Sequence, residues 1–101
     1  MTAAVLSPRA RRDLLDGAHW IARDNPTAAR AFRDAVSNAA RGLGEHPEIG
    51  GLRAELTDPP IRFLPLTGFP YVIVYDADHR PPLILRVLHG ARDLPAVLQG
   101  P

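Results

Sequence analysis

Residues 61–90 read IRFLPLTGFPYVIVYDADHRPPLILRVLHG. Three apolar runs rich in β-branched and aromatic residues stand out: IRFLPL (61–66), YVIVYD (71–76) and PLILRVLHG (82–90). They are separated by TGFP and ADHRPP, and glycine and proline mark turns. Connections this short cannot make a parallel crossover, so the runs predict an antiparallel meander. Pro65 predicts an edge or a bulge, because proline cannot donate to a ladder.

Upstream the apolar period lengthens. Ser7-Pro8 is a helix start, with the serine oxygen free to accept an early N–H and proline suited to the first turn. Ala10, Leu14, Ala18, Ile21 and Ala22 then form a helical stripe that should end near Asp24. Asn25-Pro26 repeats the signal, and Ala28, Phe32, Val36, Ala39 and Leu43 continue it. Gly42, Gly44 and His46-Pro47 predict the stop. Helices joined by so short a link run antiparallel as a hairpin.

AAVL (3–6) predicts a short strand, 48–60 a Gly/Pro-rich connector, and DLPAVL (93–98) a closing helical turn. The connector's LRAEL (52–56) is a candidate for a further short extended piece. The predicted fold is α+β, in the order β-α-α-β-β-β, as one domain over residues 1–101. The hairpin covers one face of a small, mainly antiparallel sheet. Nothing further is expected to cover the other face, which should be at least partly open and therefore partnered.

Composition narrows the chemistry. With 101 residues the chain buries roughly two-thirds of its unfolded surface, enough for one core. It has no cysteine, which excludes disulfides, zinc–thiolate sites and cysteine nucleophiles. MTAAVLSPRARRD lacks the apolar core of a signal peptide, and no run reaches membrane-spanning length, so a cytoplasmic protein without membrane contact is expected. All twelve basic residues are arginine, but the net charge is only +1, so no strong pull on nucleic acid is implied. His19, His46 and His79 are scattered without metal spacing, and neither a metal nor a cofactor is expected.

Several side chains are candidates for binding. Arg62, Arg86 and Arg92 lie on or beside the strands, and His89 is the acid/base candidate in the tail. His89 either acts directly or bonds to backbone and shapes the Gly90 turn. Arg86 either snorkels from a core edge or meets a partner's carboxylate on the open face. Arg92 is either accessible or paired with Asp93. Trp20 lies about 240° around the helix from Leu14, on the flank of Asp13 and Gly17. It either packs on the second helix or belongs to an interface. RARRD (9–13) reads as a solvated helix face. Tyr71, Ile73 and Tyr75 share one strand face, and Val72 and Val74 the other. The valines suit the helix-covered side and the tyrosines the open one, although periodicity also permits the reverse.

Four stretches together resemble the RelE/ParE toxin superfamily, and within it the ParE branch: SPRARRDLLDGAHWIARDNPTAARAF, LGEHPEIG, FPYVIVYD and ILRVLHGARDL. The last is the most specific. The resemblance implies a toxin of a type II toxin–antitoxin system that inhibits DNA gyrase by binding. It implies a ParD-like ribbon-helix-helix antitoxin as partner, with operator DNA reached only through that antitoxin. RelE-like relatives are ribosome-dependent mRNA interferases that use lysines, arginines and a tyrosine or histidine near the C-terminal end. This chain has no lysine, and no tyrosine follows Tyr75. Arginine holds its proton and is a poor base. The leading expectation is therefore a binding toxin with no catalytic residue. Its candidate contacts are Trp20, Arg62, Tyr71, Tyr75, Arg86, His89 and Arg92. The alternative is an endoribonuclease using Arg62, Arg86, His89 and Arg92. A third reading is a degenerate toxin kept only to bind antitoxin.

Overall fold

The computed structural model describes residues 2–94. The elements are β1 (Val5–Leu6), α1 (Pro8–Ala22), α2 (Pro26–Glu45), β2 (Ile61–Pro65), β3 (Tyr71–Asp76) and β4 (Leu83–His89). This is the predicted α+β order. The sheet runs β1-β4-β3-β2, with β1 parallel to β4 and the other pairs antiparallel. The helical turn expected over 93–98 lies outside the described residues beyond its first two positions.

Both helices begin where the caps require. The Ser7 side chain accepts from the Ala10 N–H and Asn25 from the Ala28 N–H, each followed by proline. α2 does not stop at Gly42 or Gly44 as predicted but runs through both to Glu45. Gly44 serves a close approach instead: a Cβ there would sit 2.1 Å from the Thr2 carbonyl oxygen. The segment before β1 crosses the helix at this point, and the Ala4 N–H donates to the Ala40 carbonyl at 2.8 Å. The stop comes at His46, because the residue before Pro47 is pushed out of the helical region.

The larger core lies between the helices and one sheet face. Phe32, Val36 and Leu43 pack there with Tyr71, Ile73, Tyr75, Ile84 and Val87. The tyrosines thus face the helices, and the expectation that the valines do so is overturned. Volume is the reason. The helices contribute small residues such as Ala10, Ala18 and Ala40, leaving space that rings fill. The Phe32 and Tyr71 rings meet at 4.7 Å. Gly17 is part of the same fit, since a Cβ there would lie 3.1 Å from the Phe32 ring and 3.3 Å from the Tyr71 hydroxyl. On the far face Phe63, Val74 and Leu88 form a second cluster with Val72. Leu56 of the connector and Leu94 pack onto it, a cover the sequence reading did not foresee.

β4 outruns the two-residue β1, and side chains take over along its rim. The Ser7 hydroxyl donates to the Leu85 carbonyl at 2.9 Å, and the Asp13 carboxylate accepts from the Val87 N–H at 3.0 Å. Asp93 accepts from the His89 N–H at 3.1 Å. At the opposite edge Phe63 exchanges two 2.9 Å bonds with Gly51, and Pro65 has no N–H to offer.

The connector is pinned by Tyr75, whose hydroxyl donates to the Pro47 carbonyl at 2.7 Å and accepts from the Gly50 N–H at 2.8 Å. Burial raises the pKa of this hydroxyl, which therefore stays protonated. Tyr75→Phe strands a buried N–H and a part-buried carbonyl. It should cost about 1–3 kcal/mol, read as a lower urea midpoint at unchanged slope.

Candidate functional site

The stretch His89-Gly90-Ala91-Arg92-Asp93 closes on itself. The Asp93 N–H donates to the His89 carbonyl at 2.8 Å, and the Arg92 N–H to His89 Nδ1 at 3.1 Å. Arg92 Nε and Nη2 both reach the Asp93 carboxylate, at 2.9 and 3.2 Å. Gly90 ties the turn to the Pro70 carbonyl at 2.9 Å. With Nδ1 accepting, a neutral His89 ring carries its proton on Nε2. The hydrogen bond from Arg92 holds the Asp93 carboxyl below the usual carboxylate range, and in return Asp93 raises Arg92 further.

Arg86 is engaged within the chain. Its Nε and Nη2 donate to the Asp13 carboxylate at 2.7 and 3.1 Å, and Asp13 raises the Arg86 pKa. The Asp13 side chain is only 11% exposed, so it departs from the solvated face predicted for RARRD. Arg9, Arg11 and Arg12 do lie exposed. Arg62 Nη1 donates to the Gly50 carbonyl at 2.7 Å and the Glu48 carbonyl at 3.2 Å, reinforcing the Tyr75 anchor.

With Arg86 taken up by Asp13, the six other sequence candidates fall into two groups. Arg62 pairs in register with Tyr75, and His89 with Tyr71. Those two positions stand at opposite ends of β3, about 13 Å apart along the strand. Trp20, Tyr71, His89 and Arg92 come together at one end; Arg62 and Tyr75 do not join them.

At that end α1 and the sheet enclose a groove. One half is a cavity of about 280 Å³ lined by Asp13, Asp16, Gly17, Tyr71 and the Arg92–Asp93 pair. The other, about 310 Å³, is lined by Ile21, Ala28, Phe69, Pro70 and His89. Trp20 and Tyr71 line both, so the halves adjoin. Trp20 is 57% exposed, with Arg23 and Arg92 at 5.0 and 5.6 Å from its ring centre. Tyr71 is 4% exposed, makes edge contact with His89 at 5.3 Å, and its hydroxyl has no hydrogen-bond partner. Asp13, Asp16 and Gly17 were not among the predicted contacts. Their signal is the spacing 13, 16, 17, 20, which is one helix face.

A family model described as the ParE toxin of the type II toxin–antitoxin system parDE matches residues 4–94. The chain belongs to the ParE toxin family. No curated protein matches it. Among solved structures, a chain from the chromosomal ParDE toxin–antitoxin system of P. aeruginosa shares the fold. The TM-score is 0.69 at 23% identity, over 88% of this chain and 96% of that one. The groove of this ParE-family chain is thus built by α1 and the β3–β4 end of a family fold. Among the described residues no group of side chains is arranged to hold a metal, and no helix is long and apolar enough to cross a membrane.

Two outcomes test the site's framework. Asp13→Ala removes three hydrogen bonds that join α1 to β4 and should cost about 2–3 kcal/mol in urea unfolding. Asp93 has a lowered folded pKa, so its contribution is present above its unfolded pKa and lost as pH falls through the folded one. The midpoint difference between wild type and Asp93→Asn should be full at about pH 7 and vanish toward about pH 2.

Proposed function

We propose that this chain acts as a toxin by binding, inhibiting DNA gyrase without cutting RNA, and that a ribbon-helix-helix antitoxin neutralises it at the Trp20 groove. The observation carrying this reading is the state of the cations that an RNA-cleaving site would need. Arg86 is held by Asp13, Arg92 by Asp93, and Arg62 by two connector carbonyls at the far end of β3. The two ion-paired guanidiniums are raised further from any role as a base, and burial keeps the Tyr75 hydroxyl protonated. His89 keeps one ring nitrogen for proton transfer, with neither Arg62 nor Tyr75 beside it. A side chain that takes the proton from a 2′-hydroxyl must converge with those that steady the phosphate.

The groove supports the binding half of the proposal. A half-exposed tryptophan flanked by two arginines is the kind of anchor that dominates protein interfaces. It adjoins an apolar half-groove formed by Ile21, Phe69 and Pro70.

The purified chain should inhibit gyrase supercoiling of relaxed plasmid, and the antitoxin should relieve the inhibition. The same chain added to a translating extract should leave mRNA intact. Codon-specific cleavage that disappears in His89→Ala would replace this reading with the endoribonuclease. Absence of both effects, with growth unaffected on expression, would assign the degenerate, antitoxin-binding role.

A further inference from the structure

The polar half of the groove has a charge pattern of its own. Three carboxylates line it: Asp13, Asp16 and Asp93. Asp13 is committed to Arg86 and Asp93 to Arg92. Asp16 is exposed and has no ion-pair partner among the described residues. The Arg92 fork is closed on Asp93, so the lining cation is already neutralised. With both pairs closed, the charge left over on the lining is the single Asp16 carboxylate, which favours a cationic guest over an anionic one.

The second observation is the Tyr71 hydroxyl, buried on the same cavity with the Arg92 guanidinium nearby but no well-formed hydrogen bond to it. A buried hydroxyl without a partner is costly, and such cases in folded proteins call for an explanation. Gly17 contributes to the setting, because a Cβ there would crowd that hydroxyl at 3.3 Å. Trp20 supplies an aromatic wall.

We infer that this half of the groove receives an arginine side chain of the antitoxin. Its guanidinium lies between the Asp16 carboxylate and the Tyr71 hydroxyl, and its stem lies along Trp20. An apolar residue of the same segment fills the adjoining half at Ile21, Phe69 and Pro70. Arginine fits better than lysine. Its planar fork can donate to a carboxylate and a hydroxyl at once and can stack on an indole. The inference rests on the reading above that an antitoxin binds here.

The test uses the separately purified chain and its antitoxin, with dissociation constants from calorimetric titration. Asp16→Asn should weaken binding about tenfold, and Asp16→Arg more. Tyr71→Phe should weaken it about three- to tenfold while leaving the melting temperature of the free chain unchanged or higher, since the lost hydroxyl has no partner there. Arg12→Ala, outside the groove, should bind as wild type. Each antitoxin arginine is then changed to glutamine, and one of them should be non-additive with Asp16→Asn. Wild-type affinity in both Asp16→Asn and Tyr71→Phe overturns the inference, as does additivity with every antitoxin arginine. A wild-type chain that fails to bind antitoxin at all overturns the broader reading instead.

Discussion

The structure depends on one carboxylate. Asp13 sits in the second turn of α1 and accepts from the Arg86 guanidinium twice and from the Val87 main chain once. These contacts join residues more than seventy positions apart and fix the angle at which the helical hairpin meets the sheet. That angle places Gly17 over Tyr71 and Trp20 beside Arg92. Hydrogen bonds to a charged group are the stronger kind, and this pair is mostly shielded from water. The charge that a binding reading assigns to a partner is thus first used to assemble the molecule.

The same economy appears in the HGARD stretch, the most specific part of the family resemblance. Its histidine, arginine and aspartate satisfy one another, and the glycine fastens the turn to Pro70. The residues still lie at the groove, but as its wall. Charge pairs of this sort hold a surface in one shape, which lowers the ordering cost a partner must meet on docking.

Much of the fold could be read from local pattern. Ser7-Pro8 and Asn25-Pro26 mark both helix starts, and the Gly/Pro turns separate β2, β3 and β4 at their observed places. The parts that could not be read depend on distant neighbours. YVIVYD is apolar on both faces, so alternation cannot orient it; the volume left by an alanine-rich hairpin does. Gly42 and Gly44 look like a helix end, yet the demand on Gly44 comes from the Thr2 main chain. Placing Trp20 with Asp13 and Gly17 needed only the helical step. That Asp13 is occupied and Asp16 is not depends on a strand far along the sequence.

The rim of β4 has a consequence for the chain in the company of its own copies. β1 ends early and leaves a stretch of strand uncovered, the kind of edge on which identical molecules can stack. Ser7, Asp13 and Asp93 occupy hydrogen-bonding groups along it with side chains that no neighbouring strand can extend. The fold therefore carries a built-in fence against fibre-like self-association, made of the residues that hold each molecule together.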